Sequence, residues 1–145
     1  MGSRAGFLAV AIVAAFLAGR ASVNVTLPFP LPIPNIVDDA PPVPGDVRNV
    51  LVIYETDDRV SMPAEQRAII DSVPLRAWIK DQRFESRFLD PQTELRSLDE
   101  WWGQALQLDR ESLPWVVISN GRTGYSGPLP KDVEEFKQLL GRYVQ

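Results

Sequence analysis

Glu55, Asp57 and Asp58 place three carboxylates within four positions. Oxygen ligands so close together suit a hard cation such as calcium or magnesium. The same residues also read as a solvated turn ahead of a helix, with an Asp or Ser capping its first turn. Paired carboxylates can cleave glycosidic bonds, but only when two of them flank a sugar cleft, a geometry that leaves no trace in sequence. Nucleophilic chemistry has less to draw on. Gly124-Tyr125-Ser126-Gly127 lacks the spacing of a nucleophile elbow, and the chain contains no histidine to activate Ser126. A Ser126–Lys131 dyad is a formal alternative. With no cysteine either, disulfide exchange, thiolate peroxidase chemistry and Cys or His zinc sites are excluded. No residue is assigned a catalytic role, and no metal or cofactor is expected.

Charge excludes a further class. The 145 residues carry 15 Lys+Arg against 19 Asp+Glu, a net charge of −4. A protein that binds nucleic acid through phosphate needs a basic face to release counterions. Here the twelve arginines are scattered among acids and form no stripe. Nucleic acid is not an expected partner.

The elements that must position these residues lie in the last two thirds of the chain. Val50-Leu51-Val52-Ile53-Tyr54 is a nearly continuous apolar run, the pattern of a strand buried on both faces. A polar turn over 56–60 follows. Ser61 is placed to cap a helix with Pro63 in its first turn, and Ser72-Val73-Pro74 restarts a helix through Leu75, Trp78 and Ile79. Residues 84–89 form a second strand ended by Asp90-Pro91. Ser97 with Glu100 has capping-box spacing and predicts a helix through Trp101 and Trp102. Neighbouring residues on a helix point about 100° apart, so one tryptophan is expected in the core and the other partly exposed. Residues 115–119 form a strand, Asn120-Gly121 signals a two-residue hairpin, and 122–126 return. Residues 131–143 carry Val133, Phe136, Leu140 and Tyr143 along one helical stripe. The order is β-α-(α)-β-α-β-β-α, over a domain drawn as 47–145.

Two segments of different character precede it. Residues 5–19 form an uncharged run bounded by Arg4 and Arg20. As a helix it would span about 22 Å at ~1.5 Å per residue, short of the ~30 Å bilayer core. A signal peptide over 1–21 and an uncleaved N-terminal membrane anchor both fit, and a buried core helix is a third reading. Residues 22–46 hold seven of the thirteen prolines, which excludes a helix or central strand and favours an extended arm. It serves either as a spacer or as a docking arm. Leu27, Phe29, Leu31 and Ile33 alternate with prolines 28–34, and a solvated spacer has no need of four large apolar side chains. They are expected to dock in a hydrophobic groove, on a partner protein or sister subunit sooner than on their own domain.

The element order, with Leu113-Pro114 directly before the strand Trp115-Val116-Val117-Ile118-Ser119 and the turn Asn120-Gly121, resembles the thioredoxin fold. The closing Gly127-Pro128-Leu129-Pro130 and final helix are similar to that family's end. The resemblance implies a three-layer α/β/α domain with a cis Leu113–Pro114 bond facing the first helix. Asp58 and Ser61 then stand near the two positions of the family's Cys-x-x-Cys, so the redox chemistry is lost and the scaffold kept. Pro114 and Trp115 become candidates for an edge that meets extended peptides, although a tryptophan packed on the sheet is the plainer reading. The stretch through Gly124-Tyr125-Ser126-Gly127-Pro128 is also similar to uncharacterised thioredoxin-like proteins of phages and bacteria. That similarity implies an envelope, lysis or virion component.

The expectation is a non-enzymatic, redox-inactive interaction or structural protein, exported to a periplasmic or extracellular compartment or anchored in a membrane through 5–19. The competing reading is an extracytoplasmic accessory or chaperone-like module that binds peptides beside Pro114. Loss of residues 1–21 removes Arg4 and Arg20 and leaves a charge of −6, which favours an aqueous compartment over anionic lipid. The intact mass of the native protein checks the N-terminus. Cleavage or a membrane-inserted full chain is expected, and a soluble cytosolic protein with its whole N-terminus contradicts both.

Overall fold

The computed structural model describes residues 40–145. The apolar run 5–19 and the arm residues Leu27, Phe29, Leu31 and Ile33 lie outside them. The sheet is organised by β1 (Asn49–Ile53), whose five residues are all buried. It pairs in parallel with β2 (Glu85–Leu89) and antiparallel with β3 (Trp115–Ser119). Next to β3 lies the antiparallel β4 (Gly124–Pro128), giving the order β2-β1-β3-β4 in a mixed sheet. The helices are α1 (Ala64–Asp71), α2 (Val73–Asp81), α3 (Glu100–Leu106) and α4 (Val133–Gly141). The observed class is mixed α/β.

Strand alternation sends successive side chains to opposite faces. Val50, Val52, Val116 and Ile118 join Ile69, Ile70, Leu75, Ile79, Phe136 and Leu140 from α1, α2 and α4 in one core. Leu51, Ile53, Trp115 and Val117 join Trp101, Trp102, Ala105 and Leu106 of α3 in the other. Helices therefore cover both faces, and the continuous apolar runs of β1 and β3 follow from burial on both sides.

Several local expectations are corrected. Ser61 does not cap α1. It ends a 3-10 helix over Asp57–Val60, and its Oγ donates to the Asp58 carbonyl at 2.9 Å. α1 begins after Pro63, which has no side chain to cap it. Ser97 likewise belongs to a 3-10 turn, where its Oγ donates to Glu94 O at 2.7 Å, and α3 starts after Asp99. In both places the serine lies two residues ahead of the N-cap position, too early for its hydroxyl oxygen to accept from the first-turn amides. Ser72 does cap α2, accepting from Leu75 N at 3.1 Å.

Trp101 and Trp102 are both buried, packed edge to face with centroids 4.9 Å apart. The incoming chain explains this. Val43 is fully buried in the same core, and a side chain at Gly45 would stand 3.6 Å from Trp101 Cδ1. Residues 43–45, in the stretch read as arm, thus cover the face of α3 that would otherwise be exposed. The hairpin loop is four residues, 120–123, longer than Asn120-Gly121 suggested. Asn120 Oδ1 accepts from the Arg122 and Thr123 amides at 2.9 and 2.8 Å, organising the wider turn.

α2 closes with Arg83 at φ 64°. The Phe84 amide reaches Ile79 O at 3.2 Å and the Arg83 amide reaches Lys80 O at 2.9 Å, the paired bonds of a Schellman motif. A left-handed residue with a Cβ costs roughly 1–2 kcal/mol, of which glycine's greater unfolded entropy returns about 0.5–1. Arg83→Gly is expected to stabilise the domain by about 0.5–1 kcal/mol in urea denaturation. Gly124→Ala should do the reverse, since a Cβ there would collide with Ile118 O and lie 2.6 Å from Pro42 Cδ. A loss of about 1–3 kcal/mol is expected from such overpacking.

Candidate functional site

β1 ends at Ile53, and the carboxylate cluster follows on the turn that leads to α1. Asp58 and Glu55 line one wall of an open cleft of about 420 Å³, and Arg110, Glu111, Ser112 and Leu113 line the other. The 3-10 turn after β1 and the loop before β3 therefore meet across this cleft. The Leu113–Pro114 bond is cis, as the resemblance implied. Pro114 O accepts from the Leu129 amide at 3.1 Å, which fixes the start of β3 against the chain leaving β4. Among the described residues, no backbone hydrogen bond of the loops ends on Leu113.

The four candidate positions are only partly brought together. Asp58 faces the cleft, and Pro114 follows directly after Leu113 in its wall. Ser61 is taken up in the 3-10 turn. Trp115 is a core residue: its ring packs among the α3-side residues, and its Nε1 donates to Ser126 Oγ at 2.9 Å. Ser126 is thereby committed to a structural bond. Arg110, Glu111 and Ser112 are site residues that the sequence reading passed over. Their signal was position alone, immediately ahead of Leu113-Pro114. Arg110 Nη1 donates to Leu106 O at 2.7 Å and so closes the end of α3 as well as lining the cleft.

The electrostatics are acidic. Repulsion from Asp58 is the first cause that holds the Glu55 carboxyl above its ordinary range, with slight burial, a shared hydrogen bond to Asp58, and Asp90 and Asp57 adding to it. Asp90 moves the other way. Its Oδ2 accepts from the Thr56 amide at 3.0 Å and its Oδ1 from the Gln92 amide at 2.9 Å, which lowers its pKa. Asp90 thus ties the end of β2 to the turn after β1. Three carboxylates of that turn, Glu55, Asp57 and Asp58, do not converge on a cation: among the described residues no group of three or more His, Cys, Asp or Glu is placed to hold a metal. Nor is any helix among them long and apolar enough to cross a membrane.

Comparison with family models, with curated proteins and with solved structures finds no match to this chain. The site is therefore read from its own geometry: an exposed, mostly acidic cleft between two loops at one end of the sheet.

The two shifted carboxylates predict opposite pH behaviour. A carboxyl with a lowered folded pKa contributes stability above its unfolded pKa and loses it as pH falls through the folded one. Asp90→Ala is expected to lower the melting temperature at neutral pH, by an amount that closes as the pH drops below about 4. A raised carboxyl costs stability once pH rises past its unfolded value, so Glu55→Gln should raise the melting temperature at neutral pH and change nothing below about 4. Melting curves of both variants from pH 3 to 7 check the signs.

Proposed function

We propose that this chain is a redox-inactive, thioredoxin-like interaction protein, exported or membrane-anchored through residues 1–21 and docking to a protein partner or sister subunit through its proline-rich arm. The observation that carries the fold reading is the sheet order β2-β1-β3-β4, with β3 antiparallel to its neighbours and opened by a cis Leu113–Pro114 bond. Helices on both faces of that sheet support it further. In this reading the turn carrying Asp58 and Ser61 stands where a redox family member keeps its thiols. This chain has no cysteine, so the scaffold serves binding. A phage-encoded envelope, lysis or virion role fits an exported binding scaffold with a proline-rich arm.

The cleft favours a second reading, a module that binds extended peptides beside Pro114. Glu55, Asp58 and Glu111 outnumber Arg110 there, so a basic segment would suit it best. Salt-sensitive binding of a Lys-rich peptide, weakened by Asp58→Asn, would favour that reading.

The scaffold assignment is tested by restoring what it lost. Asp58 and Ser61 are three apart around a 3-10 turn, where residues i and i+3 nearly eclipse. Asp58→Cys with Ser61→Cys is expected to close one intramolecular disulfide, and the reduced variant to reduce insulin. Two thiols that stay reduced under a glutathione redox buffer, with no insulin turnover, would contradict the assignment.

A further inference from the structure

The sheet has two edges, and they are unlike. Leu129 N–H donates to Pro114 O, so the main-chain groups of residues 125, 127 and 129 face β3 and those of Gly124, Ser126 and Pro128 face outward. Proline offers no N–H, and Pro41 and Pro42 lie against Gly124, so β4 is a blunted edge.

β2 is not blunted. Glu85 N–H donates to Arg48 O at 2.8 Å and Tyr54 N–H donates to Leu89 O at 3.1 Å. Alternation then turns the main-chain groups of Glu85, Arg87 and Leu89 toward β1 and leaves both N–H and C=O of Ser86 and Phe88 facing outward. Among the described residues, no loop or turn backbone bond ends on Ser86 or Phe88.

The two faces beside this edge differ in charge. Register puts Ser86 and Phe88 on the face of Val50 and Val52, which α2 covers. On that face lies a groove of about 520 Å³ whose walls carry Arg76, Lys80 and Arg83. All three are exposed, and among the described residues none is in an ion pair. Arg76 donates to Ile70 O at 2.7 Å and lies over the Phe88 ring at 4.6 Å, which holds its charge beside the edge. Glu85 also lines the groove, but alternation sends its side chain to the opposite face, where the carboxylate stands 3.8 Å from Arg87. That opposite face is mixed: Arg87 between Glu85 and Asp99, with Leu89 packed on the α3-side core. A chain of net charge −4 thus gathers three cations at one side of its open edge.

A strand added to β2 in either direction sets the residues paired with Ser86 and Phe88 on the same face as those two. Carboxylates at these positions would stand over the side of Arg76, Lys80 and Arg83. The residue between them would lie on the side of Arg87 and Leu89, where Glu85 and Asp99 repel an acid and an apolar side chain fits. We propose that the edge of β2 binds an extended segment of a partner protein in which acidic and apolar residues alternate, by strand addition with the acids on the α2 side. Main-chain bonds supply affinity and the cationic groove supplies the choice of partner. The net charge of the chain does not oppose this, because fields are screened within about 8 Å at physiological salt and the groove's own cations dominate at contact. A second copy pairing through its own β2 is disfavoured, since two such edges would bring two cationic grooves together on one face. This surface needs neither the docking arm nor the acidic cleft.

The test is titration of the full chain, in mild detergent, into a fluorescent peptide of alternating glutamate and valine, followed by anisotropy. Binding is expected, weakened by salt and weakened about tenfold or more when lysine replaces glutamate. Ser86→Pro removes an outward N–H and no bond to β1, and Lys80→Gln with Arg83→Gly removes two of the cations. Each should weaken binding about tenfold or more without loss of stability in urea. Methylating alternate amides of the peptide leaves the protein as it is. One set should abolish binding and the other should not, because only one set faces β2. A wild type that does not bind overturns the proposal, whether residues 1–39 or a second copy close the edge. So does binding that survives both methylated sets, which would mean that the groove takes anions without strand addition. If methylation acts and the lysine peptide and the charge variant bind as well as before, the edge takes any strand and the acidic partner is wrong.

Discussion

The whole domain depends on β1 being buried on every side. Its five residues are shielded above, below and along both edges, so each backbone N–H and C=O must be paired and each side chain packed. Parallel pairing with β2 requires a crossover, which α1 and α2 supply on one face. Antiparallel pairing with β3 brings the cis Leu113–Pro114 loop to the same end of the sheet as the turn that leaves β1. The acidic cleft lies where those two connections meet, and its position is a consequence of how β1 is enclosed.

The same enclosure separates the molecule into two surfaces of different chemistry. At the end of the sheet, loops carry the exposed carboxylates, with Asp90 clipping the Thr56 amide and holding that end together. Along the side, β2 retains a backbone edge whose two neighbouring arginines are folded inward, Arg76 over Phe88 at 4.6 Å and Arg87 over Trp102. These cation–π contacts add modest energy at exposed sites, of order 0.5–1 kcal/mol. Their larger effect is to shade aromatic surface while leaving the main-chain groups of the edge accessible.

Much of the fold was legible because double burial writes itself as unbroken apolar runs. Val50–Ile53 and Trp115–Ile118 could be read as strands, and Ser72-Val73-Pro74 as a helix start, from local chemistry alone. Legibility failed where distant chain decided the outcome. One of Trp101 and Trp102 was expected to be partly exposed because nothing in their own helix reveals that Val43 and Gly45 pack against them. Ser61 and Ser97 looked like helix caps because nothing local reveals that a 3-10 turn intervenes and moves each helix start two residues further on. For the site, Asp58 and Pro114 could be picked out, while Trp115 proved to be core and Arg110, Glu111 and Ser112 joined through loop packing that no periodicity encodes.

The structure rests on a closed central strand. Residue-resolved amide hydrogen exchange of the full chain examines it most directly. Leu51, Val117 and Arg87, whose N–H groups face into the sheet, should exchange slowly, and Ser86 and Phe88, whose N–H groups face away from β1, should exchange faster. Exchange at Leu51 and Val117 as fast as at Ser86 would contradict an enclosed β1.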